Sequence, residues 1–161
     1  MPSLDMLSSL DLQDYLEKHK ISGDLKPMDA STETVVKAAV ALNISHLQII
    51  KSILFMINEE PVLIISAGTS HINKKLVRKI FGMSKRKVRP AKTDEVLEIT
   101  GYLIGTVPPL GHKTKLKTII DPSVMECHTV FGGGGDLMTM LGIESKVLLD
   151  HTKAEIINVS K

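Results

Sequence analysis

The spacing of apolar residues changes character several times along the chain, and each change predicts an element. Leu12, Tyr15 and Leu16 fall on one face of a helix over residues 11–19. Residues 22–30 hold Gly23, Pro27 and three charges, and predict a loop with room for a short strand. Ser31 or Thr32 can cap a second helix whose apolar stripe is Val36, Ala39 and Val40. The run QIIKSILFMI over 48–57 predicts a strand. Asn58-Glu59-Glu60 is a hairpin-sized connection, and Pro61 opens a second strand over 62–66. Residues 72–81 predict a basic helix, 87–89 a short strand, and 94–99 a helix capped by Thr93 and ended by Gly101. A loop rich in glycine and proline spans 101–114, with room for a short strand inside it. Strands follow at 117–121 and 128–131, with a helical turn starting at Pro122 between them. After Gly132 to Gly135 come a short segment, a helix near 144–150 and a strand over 154–159. Helices and strands mix without regular alternation, which predicts an α+β fold with a mixed sheet.

A length of 161 residues predicts one domain over residues 1–161. Hydrophobic residues make up 43% and charged residues 24%, which excludes a disordered or low-complexity chain. With two Tyr, three Phe and no Trp, aromatic stacking is not the main binding device. Cys127 stands alone, so an internal disulfide and a multi-cysteine zinc site are both excluded, and a reducing compartment is expected. The apolar runs 53–57 and 62–65 are too short to cross a bilayer, and residues 1–10 carry no export pattern. The expectation is a soluble cytoplasmic protein without a membrane partner.

Charge changes the picture more than its total of +2 suggests. Between His71 and Lys117 there are twelve basic residues against three acids, while the rest of the chain is acidic on balance. Nine bases and no acid lie between Lys74 and Lys92. A solvated helix face is the plain reading of any such run. Its length and one-sidedness favour a polyanion, with nucleic acid or a nucleotide as the leading candidate.

Several chemistries find no support. The six histidines never occur in metal-ligating spacing, so neither a metal nor another cofactor is expected. No Gly-x-Ser-x-Gly elbow is present. The stretch Gly105 to Thr114 has the wrong spacing and two prolines for a phosphate-binding loop, and Gly132 to Leu137 lacks the third glycine of a dinucleotide fingerprint.

Three features remain. Lys51 is the sole basic residue between Ala38 and Asn73, and period-two alternation puts it on a face with Ile49, Ile53, Phe55 and Ile57. It is either a lysine reaching solvent from a strand edge or a fixed cation for a phosphate, carboxylate or carbonyl oxygen. The loop from Gly101 to Gly111 alternates glycine with proline. It is either a plain connection or a rigid cradle of N–H groups for an ester carbonyl or a ribose. Gly132 to Gly135 follow an apolar strand, either as a bulge or as a place where something approaches the backbone closely.

Thr100 to Gly111 (TGYLIGTVPPLG), then Thr118-Ile-Ile-Asp121 and the glycine turn, together with Gln48-Ile-Ile-Lys51-Ser-Ile-Leu, resemble the YbaK/prolyl-tRNA synthetase-associated domain family. The resemblance runs from about Thr32 to Ser160. It implies a single α+β domain with a mixed, barrel-like sheet flanked by helices, and hydrolysis of the ester of a wrongly charged tRNA. By the same likeness Lys51 falls on the family's essential lysine and Gly105 on its active-site loop. Pro108, Pro109, Gly111, Gly133, Gly134, Thr139 and Thr32 then fall on its substrate pocket. Gly105-Thr106 stands where the family often has two glycines, which implies a narrower pocket. Partners would be aminoacyl-tRNA and a synthetase. Lys74, Lys75, Arg78, Lys85, Arg86 and Lys87 would then face acceptor-stem phosphates.

An aminoacyl ester is already activated, so orientation and electrostatics can supply much of its hydrolysis. Lys51 would orient the terminal phosphate or carbonyl, backbone N–H groups near Gly105 would take the developing oxyanion, and water would attack. A substrate hydroxyl, or the thiol of a cysteinyl ester, could assist it. Alanyl, cysteinyl, prolyl and seryl esters all stay open. So do a tRNA- or synthetase-binding module without turnover and a regulator that binds small nucleotides.

Overall fold

The computed structural model describes residues 6–28 and 34–160. Its elements in chain order are α1 (Ser9–Lys18), β1 (Gly23–Pro27), α2 (Val35–Leu42), β2 (Ile50–Ile57) and β3 (Glu60–Ala67). Then come α3 (Lys74–Phe81), β4 (Val88–Pro90), α4 (Thr93–Thr100), β5 (Lys117–Ile120) and α5 (Pro122–Met125). β6 (Thr129–Gly133), β7 (Thr139–Glu144), α6 (Ser145–Thr152) and β8 (Glu155–Ile156) complete the series.

The α+β class and the mixed sheet hold, but the strands form two sheets rather than a closed barrel. The larger has the order β4-β2-β3-β5-β8, the smaller β1-β7-β6. β4, β2 and β3 run antiparallel, whereas β5 and β8 join in parallel. A single parallel bridge from Ile49 to Phe131 ties one sheet to the other.

The β2–β3 hairpin is the centre of the molecule. Ile57 pairs with Glu60, so the loop is two residues, and Asn58 and Glu59 both take positive φ (51° and 65°), the signature of a type I′ turn. Both faces of the hairpin are covered. Leu54, Met56, Leu63 and Ile65 pack into one apolar cluster, while Phe55, Ile57, Val62 and Ile64 pack into another with Val77 of α3. Burial on two faces is why the sequence reads as near-continuous apolar runs.

Five expectations need correction. β7 emerges where only an unassigned short segment was expected. Gly142 interrupts its apolar pattern, because a Cβ there would lie 2.7 Å from the Phe131 ring. No strand forms between 101 and 114 among the described residues, and the strand expected over 154–159 shrinks to Glu155–Ile156. α2 is rotated from its expected stripe. Ala38 and Ala39 are buried beside Ile49, Phe131 and Met140, whereas Val36 and Val40 are 69% and 75% exposed. The caps also shift. The α2 cap is Thr34, whose hydroxyl accepts from Lys37 N–H at 3.1 Å, and Ser31 lies outside the described residues. α4 starts one residue early, with Lys92 as its cap and the Glu95 carboxylate accepting the Lys92 N–H at 2.8 Å.

Candidate functional site

Six consecutive residues of the central strand and its approach, Ile49 to Leu54, line a cavity of about 370 Å³. Lys51 is half-buried there, and its side chain makes no ion pair or hydrogen bond with any described residue. Opposite it on β3, Ser66 is fully buried with an unbonded hydroxyl. The rest of the lining is largely apolar, with Val96, Val107 and Met140 among it. Of the residues expected from sequence, the structure gathers Lys51, Gly105, Gly133 and Thr139 around this one space.

Gly105 owes its identity to backbone shape. The Thr106 N–H donates to Leu103 O at 3.0 Å, closing a turn in which Gly105 sits third with φ of 87°. A Cβ on Gly105 would meet nothing within 4 Å, so the turn is open on that side. The expected narrowing by Thr106 does not occur. Its hydroxyl donates to Leu103 O at 2.7 Å, and Thr106 does not line the cavity.

The glycine turn has a different purpose from the one its sequence suggested. A Cβ on Gly133 would stand 2.5 Å from Val107 O and 2.9 Å from Thr106 O, and one on Gly134 would stand 2.6 Å from Thr139 O. What approaches so closely is the neighbouring loop and the start of β7. Gly135 N–H then donates to Thr106 O at 3.1 Å, and Gly134 N–H to Thr139 O at 3.1 Å. The two loops are clamped together. At the end of the turn Asp136 also lines the cavity, its carboxylate accepting from Thr139 Oγ1 (2.8 Å) and Met138 N–H (3.0 Å). Burial pushes this carboxyl up, but hydrogen bonds from Thr139, Ser9 and Met138 outweigh it and hold the group below the usual range.

Other expected residues lie elsewhere. Pro109 and Gly111 line a separate surface depression with Tyr15, His19 and His151, and Gly111 (φ 81°) abuts Leu12 and Tyr15 of α1. Pro108 is buried, with its carbonyl accepting from His112 Nε2 at 2.7 Å. Gly134 is buried behind the lining, and Thr32 falls outside the described residues. Burial pushes the His112 imidazole down to about 4, against a smaller upward pull from Pro108 O. An unfolded His112 takes its proton near 6.5 and the folded one only near 4. Stability must therefore fall as pH drops through that window. We expect urea unfolding at pH 5 to show a loss of about 2 kcal/mol relative to pH 7.5. His112→Asn should flatten the profile, and an unchanged slope would refute the assignment.

Lys74, Lys75 and Arg78 ride on α3, and Lys85, Arg86 and Lys87 form a 3-10 turn that leads into β4. All but the half-buried Arg78 are exposed. Pro90 and Ala91, at the end of that strand, line the cavity. Arg89 leaves the basic set. It is bound to Glu95 at 2.7 Å and Glu59 at 3.4 Å. Three polar lining residues, Thr34, Ser52 and Asp136, are not among the expected site residues, although Ser52 stands beside Lys51 in the motif that carries the family resemblance. The signals available were adjacency, since Ser52 follows Lys51 and Asp136 follows the four glycines.

Comparison with known proteins fits this geometry. Residues 29–151 match the model of the aminoacyl-tRNA editing domain. The uncharacterised protein YwhH of Bacillus subtilis (strain 168) is 31% identical over 134 residues, 83% of each chain. The proline–tRNA ligase of Lactobacillus johnsonii is 30% identical over 135 residues, of which this chain spans 23%. Among solved structures, a candidate trans-editing enzyme for prolyl-tRNA synthetase superposes with a TM-score of 0.86 at 28% identity, covering 95% of this chain and 96% of that one.

Proposed function

The chain belongs to the aminoacyl-tRNA editing domain family, and from that membership we propose that it is a trans-editing hydrolase that cleaves the ester of wrongly charged tRNA. The observation that carries the proposal is the meeting of an unpaired Lys51 with the Gly105 turn in one small, mostly apolar cavity. Lys51 binds the terminal phosphate or the ester carbonyl. The Gly105 N–H, which donates to no described residue, takes charge from the oxyanion as water attacks. A volume of about 370 Å³ suits a small amino acid with part of its ribose. Lys74, Lys75, Arg78 and Lys85 to Lys87 bind acceptor-stem phosphates.

The test is release of amino acid from purified alanyl-, cysteinyl-, prolyl- and seryl-tRNA, cognate and mischarged, with and without prolyl-tRNA synthetase. We expect at least one mischarged ester to be cleaved. Its kcat/KM should fall more than about tenfold between 50 and 200 mM salt, because phosphate contacts release counterions. No cleavage of any ester would leave a binding module. Cleavage with a flat salt response would remove the basic residues from the interface.

A further inference from the structure

Side chains of successive strand residues point to opposite faces. A cavity lying on one face of β2 would therefore be lined by alternate residues. This one is lined by Ile49, Ile50, Lys51, Ser52, Ile53 and Leu54 without a gap, so it lies against the edge of the strand. The pairing shows why an edge is open in the middle of the sheet. β4 covers β2 only from Phe55 to Ile57, and β6 meets the chain at Ile49. Between them, among the described residues, no strand pairs with β2 on that side.

The hydrogen bonds say which groups point into the gap. Ile49 O accepts from Gly68 N–H (2.7 Å) on the β3 side, whereas Leu54 O accepts from Ala91 N–H (2.9 Å) on the β4 side. N–H and C=O of one residue share an edge, and the edge alternates from residue to residue. Ser52, two residues before Leu54, thus turns both its N–H and its C=O toward the cavity. Its hydroxyl is buried and has no hydrogen-bond partner among the described residues.

We propose that the open edge of β2 at Ser52 holds the aminoacyl group as a one-residue strand, with the α-ammonium on the Ser52 carbonyl and the ester carbonyl on the Ser52 N–H. This rests on the reading of the site as an ester hydrolase. It gives the oxyanion a second backbone donor beside Gly105. It also makes recognition of the amino acid depend on main chain, with the apolar lining left to sort side chains by size.

Amide hydrogen exchange followed by NMR tests this on the full chain. In the free protein the Ser52 N–H should exchange at least about tenfold faster than that of Met56, which is paired with Arg89. Adding 3′-(L-alanylamino)-3′-deoxyadenosine, a non-hydrolysable stand-in for the charged tRNA end, should slow Ser52 selectively. The N-acetylated compound should bind at least about tenfold more weakly, having lost its ammonium. Ser52 protected in the free protein, or Ser52 unmoved while Gly105 responds to the compound, overturns the proposal and leaves the hydrolase reading intact. No response at Ser52 or Gly105, with no ester cleaved in the panel above, overturns both.

Discussion

Lys51→Ala should lower kcat/KM for ester cleavage by about 100- to 1,000-fold, the usual cost of losing one preorganised group that faces developing charge. The fold should not suffer. Lys51 is half-buried and contributes no ion pair among the described residues, so its removal lifts a desolvation cost and breaks no bond. The melting temperature should therefore stay level or rise. A KM effect would assign Lys51 to the phosphate, and a kcat effect would assign it to the carbonyl. Lys51→Arg should restore little, because a planar fork does not replace a point charge in so small a space. Activity within a few fold of the parent would remove Lys51 from the mechanism.

Gly133→Ala should damage stability and activity together. The new methyl would press on three backbone atoms, Val107 O, Thr106 O and Val107 C, none of which can rotate away. Relief requires moving the loop that carries Gly105. We expect a loss of about 1–3 kcal/mol in urea unfolding and a fall in kcat/KM of about 100-fold, since displacement of the site by an ångström is costly. Gly105→Ala provides the contrast. There the space is open and the difficulty is φ alone, so the stability cost should be about 1–2 kcal/mol without loop displacement. A Gly133→Ala protein with parental melting and turnover would show that the clamp between the loops is not needed.

Lys51 was legible in the sequence because a lone cation in a long apolar run is conspicuous under any register. The β2–β3 hairpin and most helices were legible for the same reason, since periodicity survives without knowledge of neighbours. Ser52 was not. The role proposed for it comes from where β4 stops and β6 touches, which is a property of sheet topology and not of residue type. The glycine turn was half-read: close approach was foreseen, but the approaching group is the protein's own loop. Pro109 and Gly111 belong to the same sequence motif as Gly105. The chain carries them past the cavity to the far side of the loop, where Gly111 meets α1.

The cavity is bounded by two sheets that share a side-chain core and one described backbone bridge, with its far wall, Gly133, Asp136, Thr139 and Met140, carried by the smaller sheet and its loop. Its gauge is therefore set by how far apart the sheets stand. Residues packed behind the lining, such as Ala39 on the buried face of α2 or Phe131 against Gly142, act as shims. Enlarging or trimming them would retune which amino acid is admitted while every group that touches the ester keeps its identity.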